Sequence, residues 1–131
     1  MIPVTQDIFG ERGNCLAASI ASILELPLSE VPNFQDFNFN PDGTENGNWY
    51  REIWKFLLPR GYNLWYRYGT AGELPAMMEG ALPYHIIAGL GPRGYMHATV
   101  GLNGVIVHDP HPSRAGLVTI TDFGFLVPIE S

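Results

Sequence analysis

The chain predicts an α+β fold, with N-terminal helices packed on a C-terminal antiparallel β-sheet. Three observations carry that prediction: helical spacing of apolar residues is confined to the first half; short β-type runs separated by Gly, Pro and Asn-Gly fill the second; and the two kinds of segment do not alternate as βαβ units would. The 131 residues are one domain's worth, so 1–131 are read as a single domain with one sizeable core.

The first element runs from Asn14 to Leu26, where Leu16, Ile20, Ile23 and Leu24 repeat at helical spacing with Ala17, Ala18 and Ala21 between them. Asn14 suits an N-cap, and Pro27 ends the pattern. Leu28 to Pro32 reads as a short turn. Asn33 to Asn48 is rich in Asn, Asp, Gly and Phe without a period, as in the long loops that form lids or binding segments. Trp49, Ile53, Phe56 and Leu57 mark a second helix stopping at Pro59-Arg60-Gly61. Tyr62 to Tyr68 is an aromatic strand, and Gly72 to Gly80 is expected to form a short third helix with Pro75 in its first turn. Tyr84 to Leu90, Met96 to Leu102, Val105 to His108 and Leu117 to Ile120 are the remaining strands.

Composition narrows the function classes. A chain 46% hydrophobic, 12% aromatic and 15% charged is globular, well away from the disordered class. A net charge of -6, with Lys55 the only lysine, argues against a surface that tracks phosphates, so no nucleic-acid partner is expected. The segment from Met1 to Asp7 lacks the pattern of a signal peptide, and no apolar run approaches the ~20 residues that span a bilayer. With a single cysteine there is no internal disulfide, which suits a reducing cytoplasm. The expected location is cytoplasmic, without a membrane partner.

That single cysteine, Cys15, stands where the first helical pattern begins. The first N–H groups of a helix lack intrahelical partners, and the helix dipole adds positive potential; both favour a thiolate. A cysteine nucleophile needs a histidine base, and the histidine needs an acceptor on its other nitrogen. Of His85, His97, His108 and His111, His97 suits the role best, since it opens a strand after a Gly-rich turn; Asp109, before Pro110, ends the following strand. The hairpin between them decides whether they meet. A two-residue Asn103-Gly104 turn pairs Leu102 with Val105 and, without irregularity, sends Asp109 to the face away from His97. A three-residue loop or a bulge brings it to the same face.

Cysteine at a helix start, histidine opening a later strand and Asp-Pro ending the next resemble the papain-like cysteine peptidase fold. Within it, the chain is most similar to the double-glycine leader peptidases that process bacteriocins, and to their small phage or bacterial relatives. The matching residues are Gln6, Cys15 with Ala18, His97 with Val100, and Asp109-Pro110. The resemblance implies a Cys-His-Asp triad, with the Gln6 side chain and the Cys15 N–H stabilising an oxyanion, each donor worth about 3 kcal/mol. Gln6 lies farther from Cys15 than the family's glutamine, so Phe9 to Gly13 must loop out. Leucine follows Cys15 where that family has glycine, and leader-peptide specificity does not carry over.

The resulting expectation is a thiol hydrolase acting on a peptide, isopeptide or related amide bond of a peptide or protein substrate, without cofactor or metal. The alternatives are a non-enzymatic papain-like binding protein aimed at a host-protein target through the 33–48 loop, and an NlpC-type cell-wall peptidase. Asn14, Trp49, Tyr95 and His108 are the expected substrate-binding residues, with Trp49 as a groove wall and His108 and His111 at the cleft rim. His85 reads as a satisfied sheet histidine, and Met77-Met78 as core. The glycines from Gly89 to Gly94 read as a turn that lets substrate approach His97.

Overall fold

Helix α1 (Cys15–Leu24) is buried nearly all round, Ala17, Ala18 and Ala21 letting it lie close against the sheet while Leu16, Ile20 and Ile23 fill the space beside them. A fully buried isoleucine such as Ile20 contributes about 2 kcal/mol of transfer free energy. Glu25, at φ 58, ends the helix in the left-handed region, and a 3-10 turn (Leu28–Glu30) follows. This computed structural model describes residues 1–69 and 78–129.

The expected long loop is partly regular. Its first part is a 3-10 helix (Phe34–Asn38) that buries Phe34 completely, and an isolated bridge joins Phe39 to Glu45. Helix α2 (Trp49–Leu57) packs Ile53, Phe56 and Leu57 inward, and Phe56 meets Phe34 edge to face with ring centroids 5.9 Å apart. The helix continues into a 3-10 turn (Leu58–Arg60) that Gly61 closes with positive φ. The expected helix over Gly72 to Gly80 lies mostly outside the described residues; its last three, 78–80, form a turn.

Five antiparallel strands form one sheet, β1 (Tyr62–Tyr68), β2 (Tyr84–Leu90), β3 (Met96–Leu102), β4 (Val105–His108) and β5 (Thr119–Pro128), in the order β1-β5-β2-β3-β4. The fold is α+β, N-terminal helices against this sheet. One strand departs from expectation. The run expected over Leu117 to Ile120 extends as β5 to Pro128 and lies inside the sheet, between β1 and β2. Asp122 and Gly124 interrupt its apolar run, where they read as punctuation. Phe123 and Phe125 face one side, and Asp122, Gly124 and Leu126 face the other.

The sheet's inner face carries Leu64, Ile86, Ala88, Ala98, Val100 and Leu126 against the helices. Its outer face carries a smaller cluster, Ile87, Phe123 and Phe125, covered in part by Met78, Ile106 and Leu117. His85 sits on this outer side, fully buried. Its Nδ1 lies 3.1 Å from Pro83 O and its Nε2 accepts from Gly104 N–H, and burial pushes its pKa down, as befits a neutral sheet histidine. β2 and β5 slip register between Ala88 and Gly89. A Cβ on Gly89 would lie 1.8 Å from Thr119 O, so only glycine fits that bulge.

Candidate active site

The β3–β4 hairpin answers the question the sequence left open. Asn103 and Gly104, at φ 53 and 78, form the two-residue turn, and Leu102 pairs with Val105. On its own this turn would carry Asp109 to the wrong face. A bulge restores it: Gly101 pairs with Ile106, yet Val100 pairs with His108, leaving Val107 as the extra residue. The alternation reverses after Val107, and Asp109 comes to the same side as His97. His97 Nε2 then donates to Asp109 Oδ1 at 2.6 Å, with both residues buried.

Asp109 also accepts the backbone N–H of His111 at Oδ1 and that of Gly116 at Oδ2. Burial pushes its carboxyl up, but these three donors outweigh burial and hold the pKa at about 2. For His97, burial pushes down, while the hydrogen bonds to Asp109 and to the Cys15 sulfur, together with the two charges, outweigh it and raise the pKa to about 9. With Nε2 held by Asp109, Nδ1 is the ring nitrogen left for the sulfur. Cys15 Sγ also accepts the Ala98 N–H at 3.4 Å, which fixes the thiol against the end of β3.

Cys15 is the first residue of α1, and the first helical bond runs from Ala18 N–H to Asn14 O. The N–H groups of Cys15, Leu16 and Ala17 therefore have no acceptor within the helix. Phe9 to Gly13 does loop out, closed by bonds from Gly13 N–H to Gly10 O and from Asn14 N–H to Ile8 O. Gly13 is required there, because a Cβ would lie 2.8 Å from Ile8 O and 3.3 Å from the Gln6 amide nitrogen. The Gln6 amide thus packs behind the turn that leads into Cys15. Its Nε2 gives one hydrogen to Ile8 O, and its Oε1 is buried with no partner among the described residues. A buried amide oxygen without a hydrogen-bond partner costs stability.

A cleft of about 460 Å³ opens at this point, with Cys15, Trp49, Tyr95, His97 and Ala98 on its walls. Trp49 and Tyr95 therefore stand where a groove wall and a substrate contact were expected. Asn14 and His108 do not. Asn14 occupies the N-cap position without a capping bond; its buried side chain instead donates to Asp7 Oδ1 and accepts from the N–H groups of Asp7 and Ile8. His108 is buried, its Nε2 2.7 Å from Val4 O. Both residues hold the N-terminal segment, because a short polar side chain beside free backbone groups satisfies them before it can face solvent. His111 is half-buried, edge-on to the His97 ring at 6.2 Å and to Phe9 at 5.4 Å.

The N-terminal segment was not expected to matter beyond Gln6. It acts as a strap between the two halves of the site. Gln6 N–H donates to Pro110 O, and Arg114 donates to Asp109 O and to Thr5 Oγ1. Tyr66, one of the tyrosines beside Trp65 that could shape a groove, does border the cleft, and Asp122, which the sequence reading did not single out, borders it too. The signal available was a lone aspartate at an inward position of an apolar strand. Among the described residues, no group of three or more His, Cys, Asp or Glu could hold a metal ion. No protein family, curated protein or solved structure matches the chain.

Proposed function

We propose that this chain is a cysteine-dependent hydrolase of the papain-like kind, cleaving a peptide, isopeptide or related amide bond through Cys15, His97 and Asp109. The observation that carries the reading is the 2.6 Å hydrogen bond between buried His97 and Asp109, in a cleft that His97 shares with a cysteine at a helix start.

In this reaction His97 holds the Cys15 proton, Asp109 fixes the ring, and the sulfur attacks the amide carbonyl. The tetrahedral oxyanion receives the Cys15 N–H, a helix-start donor beside the sulfur with no acceptor within the helix. His97 passes its proton to the leaving nitrogen as the C–N bond breaks, leaving a thioester. Water then attacks the thioester carbon, His97 takes one of its protons, and the acid product and Cys15 thiol are released.

The test uses the fact that the chain has one cysteine. Iodoacetamide labelling at pH 7, followed by intact mass, is expected to modify folded wild-type protein faster than the same chain in urea, and to slow at least tenfold in His97→Ala. Labelling slower in the folded protein than in urea would sink the hydrolase reading. It would favour a binding protein that presents the 33–48 loop, whose Phe39 and Glu45 border the cleft.

A further inference from the structure

Crossing the sheet's inner face from Cys15, the register lines up Ala98 on β3, Ala88 on β2, Asp122 on β5 and Tyr68 on β1. All four border the cleft. Ala98 N–H touches the Cys15 sulfur, so the row begins at the sulfur and reaches Asp122 two strand spacings away, roughly 10 Å. The two alanines leave the intervening floor low. The channel therefore has the length of one long side chain, with the scissile carbonyl at one end and a carboxylate at the other.

Asp122 is an unusual floor. It is only 2% exposed, and among the described residues no Lys or Arg forms a salt bridge with it. The undescribed residues contain no Lys or Arg at all, and none of the chain's seven lysines and arginines borders the cleft. Its Oδ1 receives the Thr121 hydroxyl, which leaves acceptor capacity open. A buried carboxylate without a cation is expensive to keep in a folded protein. Tyr66 and Trp49, edge to face at 5.3 Å, form an aromatic wall beside it, and Tyr68, 81% exposed, stands at its outer end. Ring faces of this kind attract cations. Glu11 and Glu45 add negative charge at the border of the cleft.

We propose that this channel selects substrates whose side chain, next to the cleaved bond, ends in a positive charge of lysine or arginine length, the charge lying against Asp122 and the stem over Ala88 and Ala98. Asp122 is then a specificity residue of the hydrolase reading, on which this inference rests, and the missing cation is supplied by the substrate.

The test compares two alkylating substrate mimics, N-acetyl-lysine chloromethyl ketone and its norleucine counterpart, which has nearly the same shape without the charge. Intact-mass kinetics are expected to show Cys15 modified at least tenfold faster by the lysyl reagent, with the ratio falling toward one in Asp122→Asn. Equal rates when both reagents label the wild type rapidly, or a ratio unchanged in Asp122→Asn, would overturn the inference. A binding measurement separates this from a failure of the hydrolase reading. Calorimetric titration of Cys15→Ala with N-acetyl-lysine methylamide and the norleucine methylamide is expected to show at least tenfold tighter binding of the charged probe. If that preference is present while both reagents label slowly, the channel stands and the hydrolase reading falls. If both probes bind alike, the channel falls. Because the wild-type ratio and the Cys15→Ala titration both keep Asp122, the inference stays falsifiable even if Asp122→Asn does not fold.

Discussion

Replacing Asp109 by Asn changes one oxygen to nitrogen and removes the charge on which the His97 environment depends. The imidazole is raised to about 9 although burial pushes the other way, and the acceptor at 2.6 Å together with the Cys15 sulfur keeps the ring protonated at neutral pH. In Asp109→Asn only the Cys15 sulfur still opposes burial, and His97 is expected to titrate well below about 9, toward its ordinary 6.5. The full rise is worth about 3 kcal/mol, and water entering the open cleft screens part of it, leaving about 2 kcal/mol. A histidine raised on folding contributes that stability fully below 6.5 and loses it as pH rises through about 9. Asp109, lowered on folding, contributes above its ordinary 3.8 and loses its share as pH falls through about 2. Both contributions are complete only between those two ordinary values. The ring Cε1 proton of His97, followed by NMR from pH 5 to 10 in wild type and variant, gives the pKa directly. Urea unfolding at pH 6 and pH 9 gives the linked stability, and the wild-type-minus-variant difference, which carries the Asp109 share of the rise and not that of Cys15, is expected to shrink by about 1 kcal/mol at the higher pH. A wild-type His97 titrating near 6.5, or one unmoved by the substitution, would refute the account of this pair.

Asn14→Ala removes three side-chain hydrogen bonds that hold Asp7 and Ile8, and is expected to cost about 2 kcal/mol in urea unfolding while slowing Cys15 labelling. Gly89→Ala drives a Cβ into the Thr119 carbonyl at 1.8 Å; a loss above ~3 kcal/mol and a large fall in Tm are expected by calorimetry. Gly91→Ala presses on His97 Cβ at 3.0 Å, so it should slow Cys15 labelling by more than its effect on stability, within about 1 kcal/mol, would explain. Phe34→Ala empties a fully buried site beneath the 33–48 loop, with an expected loss of about 3 to 5 kcal/mol in chemical denaturation.

Local pattern was enough to read α1, α2 and strands β1 to β4, because each has its own periodicity and its own Gly or Pro stop. The same reading stopped β5 at Ile120. Asp122 and Gly124 look like turn residues until the partner strands are known: Gly124 makes room for Ile86 and Tyr66, each within 3.3 Å of where its Cβ would lie, and Asp122 borders a cleft. For the site, residue type and order singled out Cys15, His97 and Asp109, since a thiol, an imidazole and a carboxylate at element ends are rare enough to stand out. Asn14 and His108 carried an equally polar signal, but their hydrogen bonds go to Asp7, Ile8 and Val4, partners that only the folded chain brings near.

By itself, then, the sequence determined the helices-then-strands order and the identity of the three residues that meet, because these depend on local spacing and side-chain chemistry. Whether they meet at all was a matter of parity along β4. A turn of two residues alone would have separated Asp109 from His97, and one unpaired residue, Val107, reverses the alternation and joins them. A bulge forms only where two paired strands and the packing behind them make the extra residue less costly than a shifted register, and that balance belongs to the tertiary structure.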